Sequence, residues 1–424
     1  MELRFFCCRC SRRDVSPGLT TWWNPPFPRP MRIRFGIDEA LNHAKCWGKR
    51  IGMVTNDPSR LAANSRTHSR VALKEAGCHL VRLFSPEHGI SGRAADGTRI
   101  DDQLDPLTGL PVLSLYGSQF EPSVEILEDL DALVFDLADI GCRFYTYIWT
   151  LFHVLRVCAE AQKPLIVLDR PNPLGGELSM AEGPLLNVQE CGSFLGRYPL
   201  PIRHCLTIGE LAGLFNTAFH PRAELLIIPC AGWLRGMQWP DLSLPFVPTS
   251  PAMPSFTSAL LYPGLCLFEG TNLSVGRGTM IPFQVLGAPW LRCDSVLCRM
   301  AGRPQAGVEY EIASFVPTVA PWEGSRCNGI RVVVSDRRQV KPVALGLHLM
   351  AAVIHSHPDH FCWARYPTAV NPTGEDHFDL LIGRREVHAA LAATPWALSK
   401  AIGEWTQIPE WGRHVTPFLI GQYQ

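Results

Sequence analysis

The stretch ALVFDLADIGCRFYTYIWTLFHVLRVCAEAQKPLIVLDR, residues 132–170, decides the fold class of this 424-residue chain. It begins with the apolar run Ala132–Ala138 and ends with a second one, Pro164–Arg170. Short runs rich in Val, Leu and Ile are typical of strands buried on both faces of a sheet. Between them, the apolar residues of Tyr147–Gln162 recur at spacings of three and four, which predicts a helix with one apolar face. The order strand, helix, strand predicts parallel strands joined by a right-handed crossover.

The same alternation extends on both sides of this stretch. Four further apolar runs predict strands at Arg50–Asn56, His79–Ser85, Pro111–Gly117 and Leu225–Ala231. Helical patterns lie between them, at Ser65–Ala76 and Pro122–Leu130. The sequence therefore predicts an α/β fold, a Rossmann-like doubly wound parallel sheet.

The length and a change in composition predict two domains. One hydrophobic core rarely grows beyond about 250–300 residues. The proline-rich stretch Pro240–Pro254 is typical of a surface connector, and the runs after it predict a second domain with strands and helices at Leu260–Phe268, Gly329–Val334 and Pro342–His355. We expect a Rossmann-like domain at residues 31–250, a smaller α+β domain closing a cleft at 251–424, and a disordered extension at 1–30.

Composition argues against several classes of protein. Lys plus Arg and Asp plus Glu total 39 each, a balance that offers no electrostatic footprint for nucleic acid or for an anionic membrane. The chain contains no run of 18 apolar residues, so the sequence predicts no membrane span. The N-terminal segment lacks the apolar core of a secretory signal. Most of the 15 cysteines stand singly in apolar stretches, which favours buried free thiols. We expect a cytoplasmic protein that binds neither nucleic acid nor a membrane.

The sequence predicts no metal and no cofactor. Cys7, Cys8 and Cys10 crowd together, but no second cluster follows at a zinc-finger spacing. His88 has no second histidine nearby at a ligand spacing. The glycine-rich motifs of nucleotide-binding loops are missing after the first predicted strand.

Polar side chains follow the predicted strands at their carboxyl ends, where an open parallel sheet binds its ligands. These loops bring Asn56, Glu87, His88, Asp139, Arg143, Tyr145, Asp169 and Arg170 to one edge of the sheet. This convergence predicts a functional site at that edge.

Three acidic residues are candidate catalytic groups. Glu87 lies on a sharp loop between Pro86 and His88-Gly89, and a carboxylic acid in a partly dry pocket can have the raised pKa that a general acid needs. A solvated loop glutamate is the alternative. Asp136 lies inside its strand and Asp139 just beyond it, although an Asp before Ile-Gly also caps turns.

Arginines and a tyrosine are candidate binding groups. A guanidinium grips a carboxylate in a bidentate fork, so Arg143, Arg170 and Arg277 suit an anionic ligand, and structural pairing with an aspartate is the alternative for each. Tyr145 suits stacking on a sugar ring and equally suits a core position. In the second domain, the run FEGTNLSVGRG at residues 268–278 contains glycines that let the backbone approach a ligand closely, and it contributes the candidates Glu269, Asn272 and Arg277.

Six motifs occur together in the chain: LFSPEHGI (83–90), TGLPVLSLYG (108–117), LVFDLADIGCRFYTY (133–147), LIVLDRPNPLGG (165–176), EGPLL (182–186) and YPGLCLFEGTNLSVGRGT (262–279). In content and order they resemble the NamZ-type exo-β-N-acetylmuramidases, a family of peptidoglycan-recycling glycoside hydrolases. The likeness extends over about residues 33–424.

The resemblance implies an active cleft between two domains and removal of a non-reducing terminal β-1,4-linked N-acetylmuramic acid, without a metal or redox cofactor. The implied partners are muramic-acid-containing disaccharides or muropeptides. Carried over by position, Glu87 of the SPEHG motif is the catalytic acid. Asp136 and Asp139 are the aspartates of the FD-x-x-D-x-G motif, and Arg143 and Tyr145 belong to its continuation.

The chain departs from the family pattern at two places. Ala138 stands where glutamine is usual, and Asp57-Pro58-Ser59 replaces His-Thr-Gly after Thr-Asn. Either change can remove a sugar contact, which affects the substrate in detail more than the class of reaction.

Glycoside hydrolysis needs two carboxyl groups that flank the scissile bond. Asp139, Asp136 and Glu269 are the alternatives for the partner of Glu87, and Arg143 or Arg277 is expected to hold the lactyl carboxylate of muramic acid. Two rival hypotheses are a non-catalytic sugar-binding protein and a metal- or nucleotide-dependent Rossmann-like enzyme, since one fold hosts many functions.

Overall fold

A computed structural model describes residues 21–22, 32–44, 47–48, 50–391, 393 and 398–424. Apart from Thr21–Trp22, the predicted extension at residues 1–30 lies outside the described residues.

The strands are β1 Thr21–Trp22, β2 Ile51–Thr55, β3 Leu80–Ser85, β4 Gln103–Leu104, β5 Pro111–Ser114, β6 Ala132–Asp136, β7 Leu165–Leu168, β8 Leu225–Ile228, β9 Val285–Ala288, β10 Val308–Phe315 and β11 Cys327–Val334. The α-helices are α1 Gly36–Ala40, α2 Ser69–Glu75, α3 Val124–Glu128, α4 Tyr147–Glu160, α5 Val188–Cys191, α6 Ile208–Asn216, α7 Phe256–Leu265, α8 Cys293–Ala301, α9 Pro342–Ser356, α10 His377–Ile382, α11 Arg385–Leu391, α12 Leu398–Thr406 and α13 Trp411–Val415. Short 3-10 helices occur at Leu178–Met180, Trp239–Leu242, Cys266–Gly270, Thr416–Phe418 and Gly421–Tyr423.

The larger sheet has the strand order β1-β8-β7-β6-β2-β3-β5-β4. All its pairings are parallel except that of β4 with β5. Every residue of β2, β6 and β7 is buried, as their apolar runs predict for a sheet covered on both faces. The predicted Rossmann-like fold class is confirmed.

The order in which the chain adds strands to this sheet reverses between β2 and β6. From β2 it proceeds to β3 and β5 on one side, and from β6 it proceeds to β7 and β8 on the other. The loops after β2 and β6 therefore diverge and leave a crevice at the carboxyl ends of the strands.

The helices follow from local sequence signals. In α6, Thr207 and Glu210 form a capping box, in which each side chain bonds the backbone N–H of the other. The predicted helix at residues 65–76 begins only at Ser69. Thr67 donates its backbone N–H to the carbonyl of Asn64 in a turn before that helix.

The second half of the chain contains a three-stranded antiparallel sheet, β10-β11-β9, with helices around it. Helices α7 and α9 pack closely because two glycines meet there. A Cβ atom on Gly264 would lie 1.8 Å from the carbonyl oxygen of Pro342, and one on Gly346 would lie 2.4 Å from that of Gly264. The smaller α+β domain is thus present as predicted.

The C-terminal segment returns to the larger sheet. The indole of Trp411 donates to the carbonyl of His204 at 2.9 Å, and the Tyr423 hydroxyl donates to Asp169 Oδ2 at 2.7 Å. These contacts join the two halves of the molecule on the side where the strand-end loops lie.

None of the helices in the described part of the chain is both long and apolar enough to cross a membrane. Its cysteines carry free thiols, and all except Cys298 and Cys362 are buried.

Candidate active site

A cavity lies between the strand-end loops and the second half of the chain. Its polar and aromatic lining comes from both parts and includes Glu87, His88, Asp96, Tyr116, Tyr145, Thr146, Tyr262, Glu269, Arg277, Tyr366 and His377. We call this the first cavity.

Glu87 is held by two hydrogen bonds at the wall of the first cavity. Its Oε1 accepts the backbone N–H of Gly97 at 2.8 Å, and its Oε2 accepts the Thr146 hydroxyl at 2.6 Å. The loop after β3 turns sharply because His88 adopts a positive φ of 67°, and the His88 Nδ1 atom lies 2.8 Å from the carbonyl oxygen of Ala94. The buried Glu87 carboxyl group therefore has a fixed orientation.

Arg277 joins two carboxyl groups across the first cavity. Its Nε donates to Glu269, and its Nη1 donates to Asp96 Oδ1 at 2.8 Å. Asp96 Oδ2 also accepts the Tyr366 hydroxyl at 2.6 Å. Burial would raise the pKa of Asp96, but the Arg277 charge and the Tyr366 hydrogen bond outweigh it and hold that pKa below its ordinary value. Burial raises the pKa of Glu269 above its ordinary value even though Arg277 opposes the shift.

Aromatic rings form much of the remaining wall. Tyr145 and Tyr262 meet edge to face with ring centroids 6.0 Å apart, and the Tyr145 hydroxyl donates to Thr249 Oγ1 at 2.7 Å. Burial, followed by the charge of Glu87, raises the pKa of Tyr116 above its ordinary value. These tyrosine side chains are uncharged at physiological pH, and they line the first cavity with hydroxyl groups that can form hydrogen bonds.

His377 is a buried, neutral histidine on the same wall. Its ring stacks on Tyr366 with centroids 4.7 Å apart, and burial lowers its pKa to about 4. Neither ring nitrogen finds a hydrogen-bond partner among the described residues. A neutral imidazole offers one donor and one acceptor, so His377 can serve an uncharged polar group of a ligand.

The structure brings together part of the predicted site. Glu87, His88, Tyr145, Glu269 and Arg277 line the first cavity. Five other predicted residues instead form hydrogen bonds or ion pairs with other groups of the protein.

Asp136 forms a buried, bidentate ion pair with Arg170, with N–O distances of 2.6 and 2.9 Å. Asp169 accepts the Thr207 hydroxyl at 2.8 Å and the Gly209 N–H at 2.7 Å, and burial raises its pKa to about 7. Both aspartates therefore support the sheet edge from within.

Three more predicted binding residues form hydrogen bonds with neighbouring protein groups. Arg143 is buried, and its guanidinium donates to the carbonyl oxygens of Pro184, Leu200 and Leu381. The Asn56 amide donates to the Tyr147 hydroxyl at 3.1 Å, and the Asn272 amide donates to the carbonyl oxygen of His360 at 2.8 Å. Their predicted contacts with a substrate stay predictions, and the residues do not line the first cavity.

Asp139 and Arg170 line a different space, which we call the second cavity. It lies in the crevice between the loops after β2 and β6. Among the described residues, no group of three or more His, Cys, Asp or Glu side chains is arranged to hold a metal ion.

Two models of one protein family match the chain in succession. The model described as "Exo-beta-N-acetylmuramidase NamZ, N-terminal" matches residues 51–257, and the corresponding C-terminal model matches residues 260–419. The chain belongs to the NamZ exo-β-N-acetylmuramidase family. The resemblance inferred from the sequence motifs is thereby confirmed.

Individual relatives agree with this membership. The chain is 40% identical over 332 residues to the peptidoglycan beta-N-acetylmuramidase NamZ of Bacillus subtilis (strain 168), a match that covers 78% of this chain and 79% of that protein. Two crystal structures of DUF1343 family proteins from Bacteroides fragilis NCTC 9343 share the fold. One has a TM-score of 0.81 at 29% identity and covers 93% of this chain and all of that one. The other has a TM-score of 0.70 at 27% identity, with 92% and 98% covered.

Sequence reasoning missed several residues that line the first cavity of this NamZ family member. Asp96 lies in the stretch GRAADG, where Asp-Gly is typical of a turn and no strand precedes it directly. Thr146 lies beside the predicted Tyr145 and was concealed by an apolar helix pattern. Tyr366 and His377 lie in the second half of the chain, outside the quoted motifs, and no local signal marks them.

Proposed function

We propose that this chain is a glycoside hydrolase that releases non-reducing terminal β-1,4-linked N-acetylmuramic acid from peptidoglycan fragments. The observation that carries this proposal is the first cavity, which places Glu87 and the Asp96–Arg277–Glu269 cluster together in a member of the NamZ family. The Bacillus relative bears the name of this activity.

We assign Glu87 the role of general acid, which protonates the leaving glycosidic oxygen. A catalytic carboxyl group must be fixed relative to the reacting bond, and the Gly97 N–H and the Thr146 hydroxyl provide this restraint. The Thr146 hydroxyl can rotate, so it can donate a hydrogen bond to the Glu87 carboxylate or accept one from the carboxylic acid. This restraint therefore suits both protonation states.

The second carboxyl group is Asp96. Asp136 is committed to Arg170, Asp139 lies in the second cavity, and Glu269 is buried against Arg277. Asp96 combines a pKa below the ordinary value with a partly exposed side chain, at 34%. An ionised carboxylate in that position stabilises the positive charge that develops on the sugar in the transition state.

Arg277 is the residue we assign to the lactyl carboxylate of muramic acid. Its Nη2 makes no hydrogen bond within the described part of the chain, whereas Nε and Nη1 are held by Glu269 and Asp96. Arg143, the alternative from sequence, gives its Nη atoms to main-chain carbonyls. Recognition of the lactyl carboxylate distinguishes N-acetylmuramic acid from N-acetylglucosamine.

The substrates we propose are muramic-acid-containing disaccharides or muropeptides, hydrolysed without a metal or redox cofactor. We propose a cytoplasmic location because buried free thiols, such as Cys158 and Cys230, are typical of proteins in a reducing compartment.

The test is incubation with a chromogenic β-N-acetylmuraminide, with the matching N-acetylglucosaminide as a control and EDTA in a parallel series. Turnover of the muraminide alone, unaffected by EDTA, supports the proposal. Binding of the sugar without turnover by the wild-type protein identifies a sugar-binding protein instead. Loss of turnover in EDTA that added metal restores contradicts the metal-free mechanism.

A further inference from the structure

The turn Asp96-Gly97 carries a group for each of the two proposed catalytic carboxyls. Asp96 supplies its own carboxylate, and the backbone N–H of Gly97 donates to Glu87 Oε1 at 2.8 Å. These two groups share one planar peptide unit, since the Gly97 nitrogen is bonded to the Asp96 carbonyl carbon. A movement of this turn therefore displaces Asp96 and loosens the restraint on Glu87 at the same time.

A segment of the second half of the chain holds this turn in place. The Tyr366 hydroxyl donates to Asp96 Oδ2 at 2.6 Å, and the backbone N–H of Ala369 donates to the Gly97 carbonyl oxygen at 2.8 Å. Gly97 has a positive φ of 66°, and a Cβ atom there would lie 2.7 Å from that of Thr368. The segment therefore fixes both the backbone and the acidic side chain of the turn.

Tyr366 is itself fixed by its neighbours. Its backbone N–H donates to the Gly374 carbonyl oxygen at 2.9 Å, and its ring stacks on the His377 ring with centroids 4.7 Å apart. Burial, and then the charge of Glu269, raises the pKa of Tyr366 well above its ordinary value. The hydroxyl therefore keeps its proton across the acidic and neutral pH range and donates it to Asp96.

Each carboxylate oxygen of Asp96 accepts a hydrogen bond from the second half of the chain. Arg277 Nη1 donates to Oδ1 at 2.8 Å, and Tyr366 donates to Oδ2. Burial raises the pKa of Asp96, but both donors favour its ionised form and lower that pKa. The other titratable groups that interact electrostatically with Asp96 also line the first cavity: His88, Tyr116, Glu269 and His377. Removal of the Tyr366 hydroxyl leaves all of these in place.

We propose that Tyr366 is a positioning residue of the reaction, which holds the Asp96 carboxylate and, through the turn, its placement relative to Glu87. The separation of the two carboxyl groups sets the course of glycoside hydrolysis, so it must be fixed. This inference rests on the proposed muramidase function, with Asp96 as the second carboxyl group. Tyr366 acts through Asp96, so the carboxyl pair of the first half of the chain needs the second half to be functional.

The experiment compares Tyr366→Phe with the wild type in kcat, KM and the pH profile of kcat/KM, with the chromogenic muraminide as substrate. Phenylalanine keeps the ring and its packing and removes only the hydrogen bond to Asp96. We expect kcat to fall about tenfold with KM nearly unchanged, because positioning is lost and sugar binding is kept. The acidic limb of the profile, which reports the ionisation of Asp96, should move about one unit to higher pH.

Tyr423→Phe is the matched control. The Tyr423 hydroxyl also donates to a buried aspartate, Asp169, at 2.7 Å, but Tyr423 lines neither cavity. We expect a lower melting temperature for this variant and an acidic limb at the wild-type pH. Thermal denaturation of both variants separates a loss of folded protein from a change within the folded enzyme.

Asp96→Asn provides a second test, in a double-mutant cycle with Tyr366→Phe. If Tyr366 acts through Asp96, its replacement should change kcat by less than about twofold in the Asp96→Asn background. An equal loss of kcat in both backgrounds overturns the inference, and so does an acidic limb that stays in place in Tyr366→Phe. A rise in KM with an unmoved limb also overturns it and assigns Tyr366 to direct sugar binding. A wild type that does not hydrolyse the muraminide contradicts the proposed function itself, a result distinct from each of these.

Discussion

The Thr146 hydroxyl donates a 2.6 Å hydrogen bond to Oε2 of Glu87, and so connects the start of α4 to the loop after β3. The two residues are 59 positions apart in the chain. They meet because β3 and β6 lie on either side of β2 and deliver their loops to the same edge of the sheet.

Replacement of Glu87 by glutamine should abolish turnover and preserve sugar binding. Glutamine is nearly isosteric but cannot donate the proton to the leaving oxygen, and general acid catalysis typically contributes about 10²–10⁴-fold. Steady-state kinetics with the chromogenic muraminide and calorimetry with N-acetylmuramic acid measure the two effects. Retention of more than about a tenth of wild-type kcat would show that Glu87 is not the acid.

Replacement of Thr146 by valine should lower kcat and leave KM nearly unchanged. Valine retains the shape of threonine but removes the hydrogen bond that orients Glu87, and hydrogen bonds to charged groups contribute about 1.5–3 kcal/mol, or roughly ten- to a hundredfold in rate. Thr146→Ser restores the hydroxyl and should recover most of the activity. If valine and serine behave alike in kcat, Thr146 does not position Glu87.

Replacement of Arg277 by lysine should reduce the preference for muraminide over glucosaminide. Lysine keeps the charge but lacks the planar fork that can bind Glu269, Asp96 and a lactyl carboxylate together. We expect kcat/KM for the muraminide to fall by about tenfold or more. Arg365→Lys is the control, because Arg365 is 70% exposed in its pair with Glu375. An unchanged ratio of the two kcat/KM values would remove Arg277 from substrate recognition.

The pH dependence of stability should report the buried Asp139. Burial raises the pKa of Asp139 from the ordinary 3.8 to about 7. Between these values the folded chain binds more protons than the unfolded chain, so this group makes the free energy of unfolding fall as pH rises from about 4 to about 7. Urea denaturation across this range should show a weaker fall in Asp139→Asn. Identical pH profiles for the two proteins would show that the Asp139 carboxyl group does not keep its proton in the folded state.

The positions of six strands of the larger sheet, β2, β3, β5, β6, β7 and β8, followed from the sequence because each is a short apolar run in a sheet buried on both faces. The sequence did not predict β1, β4, β9 or β10, and β4 and β10 are largely exposed or only half-buried. Glu87 and His88 were also predictable, since residues that closely follow a parallel strand reach the ligand-binding edge of the sheet, and Tyr145 lies in the loop that joins β6 to α4 at the same edge. Local pattern is sufficient for these residues because the strand fixes both their place and their neighbours.

Only the tertiary structure decided how the charged side chains are used. Arg143 and Arg277 look alike in sequence, yet Arg143 gives one of its N–H groups to the carbonyl oxygen of Leu381, 238 residues away, whereas Arg277 meets Asp96 across 181 residues. Asp136 and Asp139 belong to one motif, but one forms a buried ion pair and the other faces the second cavity. The packing of segments that are distant in sequence determines the partner of each charged group, and apolar periodicity does not predict that partner.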